Sequence, residues 1–270
     1  MADMITTPFL ANALQFAFEK ATTEGKVTIT MLVLVSLFSW TVIIRKARQL
    51  YLARKWTKRF FSSYRTTRDP LDLFRKKLDF TGSPAFEVYE TGAEELDYHL
   101  QHNPVNVKGQ TKISAASFES VKVALERAVS AQALSLEKGM IILSTAVAGG
   151  PFIGLLGTVW GVMETFSGIA KVQAASLIAM APGVAGALIA TVVGLFVAIP
   201  AMFAYNYMVT TIRAITQELD NFVTEYATAI EHAYVDNRPV SEEIADALSK
   251  MKWREGRTEN LAETVTSHRD

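Results

Sequence analysis

Hydroxyl groups and one carboxylate interrupt two long apolar runs of the sequence. The run PFIGLLGTVWGVMETFSGIA (151–170) contains Thr158 and Glu164, and the following run contains Thr191. A threonine hydroxyl can orient water or hydrogen-bond a carboxyl group, but it does not titrate at physiological pH. The two threonines could therefore line a polar path, although neither could carry a proton by itself.

Each of these groups also has a structural interpretation. A threonine inside a membrane helix usually donates to the carbonyl three or four residues earlier on its own helix. Glu164 lies about two turns from Lys171, so it either snorkels to the membrane surface, pairs with a nearby cation, or has a functional role. The residue types leave both interpretations of Thr158, Thr191 and Glu164 open.

The charged residues are segregated from three apolar stretches. Val27–Ile44, Gly139–Ala170 and Ser176–Tyr207 together contain one acidic residue, Glu164, and no basic residue. Each approaches or exceeds the ~20 residues that cross a ~30 Å hydrocarbon core. The sequence predicts an all-α integral membrane protein with three transmembrane helices. Since no titratable group lies near the middle of a span, proton movement would need an ionisable group from a partner.

Small residues recur at helical spacing along the second and third spans. In the second span they are Gly150, Gly154, Gly157, Gly161 and Gly168. In the third span they are Gly183, Ala187, Ala190, Gly194, Ala198 and Ala201. Small residues every three or four positions let helix backbones approach closely in a membrane. We expect the two spans to form a hairpin, and the small face serves either packing alone or packing and a pore.

The orientation follows from the distribution of basic residues. Seven of them and no acidic residue lie between Arg45 and Arg59, which places this side of the first span in the cytoplasm. We therefore expect an external N-terminus, a cytoplasmic segment over 45–138, an external turn over 171–175 and a cytoplasmic C-terminus.

Helices are expected to continue beyond the membrane. Apolar residues spaced by three and four within Lys112–Lys138 predict one amphipathic helix that runs directly into the second span. A similar stripe predicts a cytoplasmic helix over 208–235 that continues the third span. Prolines and glycines are expected to divide the rest of the cytoplasmic segment into short elements, with breaks at Pro70, Gly82, Pro84, Gly92 and Pro104.

The two ends of the chain differ in character. We expect residues 1–26 to be an external amphipathic segment, in which Pro8–Phe18 is either an interfacial helix or an extension of the first span. We expect no removable signal peptide, because the N-terminus has no basic region before its first apolar run. Residues 236–270 are expected to be a polar tail with one short helix near Ser241–Trp253.

Several classes of function are not indicated. The chain has no cysteine, no nucleophile–base pair and no phosphate-binding glycine loop, so we expect no enzymatic activity, metal or other cofactor. His99 and His102 are expected in a loop near Pro104, which would be a poor frame for a metal. The basic run after the first span is explained by topology and contact with anionic lipid, so nucleic acid is not expected as a partner.

The paired motifs of the last two spans resemble those of a known family. PFIGLLGTVWGVMETFSGIA and APGVAGALIATVVGLFVAIPAMFAYN (181–206) are similar to the ExbB/TolQ branch of the MotA/TolQ/ExbB proton-channel family. Thr158 and Thr191 occupy the positions of the family's two pore threonines, and Pro151 and Pro182 match family prolines. One departure is that Gly186 stands where these proteins usually have a Glu.

The resemblance implies a bacterial inner-membrane motor. Several copies of the chain, typically five, would surround the single-span helices of a dimeric ExbD- or TolR-like partner, whose Asp takes up and releases protons. The LDNF segment (219–222) looks more like TolQ, which implies a Tol–Pal-type system and a TolA/TonB-like receiver. The alternatives are an ExbB-like energiser of TonB-dependent uptake, a gliding-motility motor, or a passive membrane scaffold.

Overall fold

Three long helices make up most of the described chain. The computed structural model describes residues 23–107, 109–172 and 177–236. Its helices are α1 (Thr23–Tyr64), α2 (Asp72–Arg75), α3 (Pro84–His102), α4 (Ala115–Glu137), α5 (Met140–Val172) and α6 (Leu177–Tyr234). Strands β1 (Val105–Val107) and β2 (Gln110–Lys112) form an antiparallel pair between α3 and α4. The predictions for Pro8–Phe18, for Ser241–Trp253 and for most of the 171–175 turn fall outside the described residues.

Helices α1, α5 and α6 each contain an apolar stretch long enough to cross a membrane. A third or less of each stretch is buried within the chain, so most of its side chains face lipid or other proteins. With 58 residues, α6 is about 87 Å long, far more than the ~30 Å hydrocarbon core. The predicted all-α membrane protein with three spans is confirmed, and α1 and α6 extend well past the membrane.

The α5–α6 hairpin packs at backbone distance. A Cβ atom built on Gly154 would lie 2.8 Å from the carbonyl oxygen of Ala190 and 3.0 Å from Cα of Thr191. A Cβ on Gly194 would lie 2.6 Å from the carbonyl oxygen of Gly150. Real Cβ atoms essentially never come within 3.0 Å of such atoms, so this approach requires glycine. The small-residue face predicted from the sequence is therefore the contact between these helices.

Helix α1 lies against this hairpin. A Cβ on Gly157 would meet Thr28 Oγ1 of α1 at 2.7 Å and Cβ of Ala190 at 2.7 Å. One glycine thus brings all three spans together near the beginning of α1. Further along α1, Ser39 is buried, and its hydroxyl has no hydrogen-bond partner among the described residues.

A second core lies beyond one end of the spans. It is formed by the later halves of α1 and α6 together with α3 and α4, and we call it the extramembrane bundle. Phe60 is fully buried at its centre, with ring centroids 5.5 Å from Tyr89 and 5.6 Å from Phe222. A Cβ on Gly92 of α3 would clash with the Leu125 side chain, so this glycine lets α4 approach α3 closely. Gly92 therefore lies inside a helix and does not end one, contrary to the sequence prediction.

The chain turns sharply between α4 and α5. The structure divides the helix that was predicted to run from Lys112 into the second span, because Gly139 has φ +88°. This left-handed conformation favours glycine and ends α4. Lys46 of α1 donates to the carbonyl oxygen of Leu136 at 2.9 Å, near the end of α4. Burial, with Lys138 nearby, lowers the pKa of Lys46, which lies just past the first span.

The segment between α3 and α4 differs from the sequence prediction. His99 and His102 lie in the last turn of α3 and not in a loop. The helix begins at Pro84, and because Gly92 packs inside it and does not end it, the helix continues as far as His102. The β1–β2 hairpin was not predicted, and Gly109 in its turn has φ +82°. Beyond it, the Ile113 N–H donates to the carbonyl oxygen of Tyr234 at 2.8 Å, which ties the start of α4 to the end of α6.

A methyl group at position 154 tests the hairpin packing. Gly154→Ala should lower the stability of the detergent-solubilised protein by about 1–3 kcal/mol, because the new Cβ overlaps backbone atoms that cannot rotate away. The midpoint of thermal unfolding measures the effect. Gly168→Ala is the matched control, since a Cβ there meets nothing within 4 Å among the described residues, and its midpoint should be unchanged or raised. Equal midpoints for the two variants would contradict the packing argument.

Buried tyrosines of the extramembrane bundle should make the protein sensitive to alkaline pH. Burial raises the pKa of Tyr89 to about 12 and, with the Asp69 hydrogen bond, that of Tyr234 to about 12. Unfolded tyrosines ionise at about 10, so above that pH the unfolded chain loses protons first. The stability that these groups contribute is therefore complete below pH 10 and falls as the pH rises to about 12.

Thermal midpoints at pH 8 to 11 measure this effect. Tyr89→Phe and Tyr234→Phe should each make the alkaline fall shallower when every variant is compared with its own value at pH 8. Tyr98→Phe is the control, since Tyr98 is 52% exposed and its removal should leave the profile unchanged. If the wild-type midpoint stays level or rises above pH 10, the predicted loss of stability at alkaline pH is wrong.

Candidate functional site

The structure brings Thr158 of α5 and Thr191 of α6 into direct contact. Their side-chain oxygens lie within hydrogen-bonding distance of each other. The Thr158 hydroxyl is also 3.2 Å from the carbonyl oxygen of Ala187 on α6 and 3.2 Å from that of Gly154 on its own helix. We call these two side chains the threonine pair.

The glycine contact explains why these hydroxyls meet. Thr158 follows Gly154 by one helical turn, and the Cα of Thr191 lies directly against Gly154. A larger residue at position 154 would separate the helices and move the two threonines apart. The close approach of the backbones therefore sets the geometry of the threonine pair.

The protons available to the threonine pair limit its hydrogen bonds. Each hydroxyl has one proton to donate and lone pairs that accept. Thr158 can therefore donate to only one of its neighbouring oxygens, while it accepts from Thr191 when that hydroxyl points toward it. Thr158 lies near the carbonyl oxygen of Gly154 on its own helix and also contacts the hydroxyl of Thr191 on α6, so its neighbours are not confined to its own helix.

The threonine pair is half-buried, and exposed apolar side chains flank it. Leu155 and Val159 of α5 are 53% and 57% exposed, and Leu188 and Leu195 of α6 are 54% and 42% exposed. Leu155, Leu188 and Leu195 lie one helical turn from a threonine of the pair, on the same helix face. The outer surface around the two half-buried threonines is thus apolar.

Two further threonines lie at helix contacts but are bonded within their own helices. Thr165 donates to the carbonyl oxygen of Gly161 at 2.8 Å and packs against Gly183 of α6. Thr28 donates to the carbonyl oxygen of Gly25 at 2.9 Å and packs against Gly157. Sequence reasoning assigned no role to Thr28. Its only signal was a hydroxyl close to the start of the first span.

The other candidates do not join the threonine pair. Glu164 is exposed, and six residues after Thr158 it points to a different side of α5. Gly186 is buried in α6. A Cβ on Gly168 would meet nothing within 4 Å among the described residues, so the contact seen at Gly150, Gly154, Gly157 and Gly161 is not seen there.

The remaining predicted packing residues lie along the hairpin. A Cβ on Gly161 would meet Cβ of Ala187 at 2.7 Å, and one on Gly150 would meet Cβ of Ala198 at 3.2 Å. Pro151 and Pro182 lie inside α5 and α6 and are each half-buried. Since proline has no N–H, each removes one hydrogen bond from its helix.

Nothing among the described residues suggests a metal centre. No group of three His, Cys, Asp or Glu side chains within 23–107, 109–172 and 177–236 is arranged to hold an ion. What the threonine pair can do chemically is donate and accept hydrogen bonds within an apolar surface. It can hold water or a carboxyl group, and it cannot replace a titrating residue.

Comparison with known proteins identifies the family of the chain. Residues 93–221 match the family described as the MotA/TolQ/ExbB proton channel family. The chain is 33% identical to the Tol-Pal system protein TolQ of Haemophilus influenzae over 226 residues, which cover 82% of this chain and 95% of that protein. It is 35% identical to TolQ of Pseudomonas aeruginosa over 184 residues, which cover 67% of this chain and 77% of that protein.

An ExbB protein is about as similar to this chain as the two TolQ proteins are. The biopolymer transport protein ExbB of Xanthomonas campestris (strain B100) is 33% identical over 222 residues, which cover 77% of this chain and 86% of that protein. The resemblance inferred from the two span motifs is thereby confirmed, and with three apolar helices the chain is a multi-pass inner-membrane protein. The chain belongs to the MotA/TolQ/ExbB proton channel family.

Proposed function

We propose that this chain is the proton-channel and stator subunit of an inner-membrane motor of the Tol–Pal type, driven by the proton-motive force. On this proposal it is a transport component and not an enzyme. The observation that supports it most is the threonine pair, in which hydroxyls of two spans meet within an apolar outer surface. Family membership supports proton-channel function in general.

The titrating group comes from a partner on this proposal. The exposed face of α5 and α6 around the threonine pair is apolar, and the described hydroxyls cannot titrate in the physiological range. A single-span ExbD- or TolR-like helix with one Asp fits such a surface, because its apolar side chains would pack on Leu155 and Leu188. The threonine hydroxyls would donate to its carboxylate, and protonation of the carboxylate would weaken that contact.

Self-association accounts for the rest of the exposed apolar surface. Two thirds or more of the residues in the apolar stretches of α1, α5 and α6 are exposed or only half-buried. We propose a ring of identical subunits, five in number, around a dimer of the partner. Surface that does not face the partner would then face a neighbouring subunit or lipid.

The proposed orientation is an N-terminus in the periplasm and a C-terminus in the cytoplasm. On α1, exposed basic side chains follow the first span directly, and they are Arg45, Arg48, Arg54, Lys55, Lys58 and Arg59. Such clusters mark the cytoplasmic side and contact anionic lipid headgroups. The extramembrane bundle lies at the same end of the spans and would therefore be cytoplasmic.

Removing one hydroxyl of the threonine pair tests the channel proposal. Thr158→Val keeps the side-chain shape, and proton flux in vesicles reconstituted with the TolR-like partner should fall about tenfold or more, because a hydrogen bond to a charged group is worth about 1.5–3 kcal/mol. Thr158→Ser, which keeps a hydroxyl, should retain most of the flux. Copurification of the partner with each variant shows that assembly is intact.

Thr145→Val is the matched control for this experiment. Thr145 is also in α5, but it is exposed, and its hydroxyl donates to the carbonyl oxygen of Ile141 on its own helix at 2.8 Å. Proton flux through the Thr145→Val complex should equal that through the wild-type complex. Full flux through the Thr158→Val complex, or an equal loss in both variants, would refute the role of the threonine pair.

The envelope system can be decided by complementation. The chain and its cognate partner should restore detergent resistance to a bacterium that lacks its own TolQ and TolR. TonB-dependent uptake in a strain lacking ExbB and ExbD is the competing outcome, favoured by the 33% identity to an ExbB. Rescue of uptake alone would replace the Tol–Pal assignment by a TonB-type one. Rescue of neither phenotype, with the complex present in the membrane, would reject both.

A further inference from the structure

Helix α3 of the extramembrane bundle carries a stripe of acidic residues. Glu87, Glu90, Glu94 and Asp97 follow one another at steps of three, four and three, so they share one face of the helix. No lysine or arginine occurs anywhere in α3. Like charges at this spacing repel one another and destabilise a helix unless a cation approaches them.

A groove with a volume of about 350 Å³ runs beside this stripe. Its apolar part is formed by Phe74, Leu78 and Phe86, and its acidic part by Asp79, Glu90 and Asp97. We call it the acidic groove. Two basic residues, Arg75 and Lys77, also line it, and Arg75 is already paired with Asp69 at 2.9 Å.

The acids of the groove and of the α3 stripe form no ion pair within the described chain. Asp79, Glu87, Glu90, Glu94 and Asp97 have no lysine or arginine within ion-pair distance among the described residues. Burial, together with Glu94, Glu87 and Asp79, raises the pKa of Glu90. An acidic surface with exposed apolar residues such as Leu78, which is 43% exposed, fits a basic peptide that also has an apolar side chain.

The chain itself contains such a peptide beyond its described residues. Lys250–Arg257 has the sequence KMKWREGR, with four basic residues, one acidic residue, a methionine and a tryptophan. We call it the basic tail segment. Its positive charge complements the acidic groove, and Trp253 and Met251 complement the apolar part.

The tail starts close to the groove. The Tyr234 hydroxyl donates to Asp69 at 2.7 Å, and the Arg75 guanidinium lies 6.0 Å from the centre of the Tyr234 ring. Arg75 lines the groove, so α6 ends at the rim of it. The fourteen residue-to-residue steps from Asp236 to Lys250 can span up to about 46 Å, whereas α3 with its 19 residues is about 28 Å long.

We propose that the basic tail segment, residues 250–257, docks in the acidic groove of its own chain. The tail then covers the exposed apolar side chains of the groove and neutralises the acidic stripe of α3. This docking is independent of proton transport through the threonine pair, and it concerns the opposite end of the molecule from the channel.

Engineered cysteines test the docking in the assembled membrane complex. The natural chain has no cysteine, so every thiol is an introduced one. Lys77→Cys places a thiol at the groove, and Gly256→Cys places one in the basic tail segment. Oxidation should link this pair at least about tenfold faster than the control pair Val123→Cys with Gly256→Cys, because docking raises the local thiol concentration. Val123 is 46% exposed on α4, in a different groove.

Charge reversal separates docking from chance encounters. In the Lys77→Cys, Gly256→Cys background, Lys252→Glu with Arg254→Glu should lower the rate toward that of the control pair. Glu90→Lys with Glu94→Lys should do the same, and combining both reversals should restore part of the rate. Because the tail reversal leaves α3 unchanged, a folding defect in α3 cannot account for its effect.

Three results would overturn the proposal. One is an equal linking rate for the groove and control pairs, and another is a rate that neither charge reversal changes. The third is linkage between subunits with Lys77→Cys and coexpressed subunits with Gly256→Cys that is as fast as linkage in the doubly substituted chain, because the occupant would then be a neighbouring copy's tail. A loss of proton flux in Thr158→Val has no bearing on any of these outcomes.

Discussion

The contact between the backbones of α5 and α6 is the constraint on which the rest of the membrane region depends. In lipid there is little hydrophobic gain from bringing helices together, so close packing and hydrogen bonds must hold them. Gly154 and Gly194 remove the side chains that would keep the helices apart. The same approach places Thr158 beside Thr191. Gly157, three residues after Gly154, lets Thr28 of α1 pack against α5.

This arrangement separates the tasks of proton transport between proteins. The chain supplies a rigid scaffold and two hydroxyls, and the proposed partner supplies the carboxyl group that changes its charge. Glu164 does not fill that role, since it is exposed on a different side of α5 from Thr158. Gly186, where the resemblance of the span motif implies a Glu, is buried in α6 and brings no carboxylate.

Features that depend on one helix alone were predictable. The three spans were found because crossing a membrane needs a long apolar run, and the small-residue face was found because helical spacing puts its members on one side. Features that depend on contacts with other helices were not. Gly92 was expected to break a helix, yet it packs inside α3 against Leu125, and Gly168 lies on the predicted face but beyond the contact. The break at Gly139 is likewise a property of the bundle, in which Lys46 binds the Leu136 carbonyl.

The sequence by itself determined the number of spans, because apolar runs of that length follow from residue types along the chain, and its two span motifs carried the resemblance to the family and to its threonines. It left open whether Thr158 and Thr191 bond within their own helices or point into a shared polar path. Only the tertiary structure showed that their two hydroxyls meet, since the distance between hydroxyls on different helices depends on how closely the backbones approach. The acidic groove also depends on the tertiary structure, because its residues from 74–79 and from α3 meet only when the bundle is assembled.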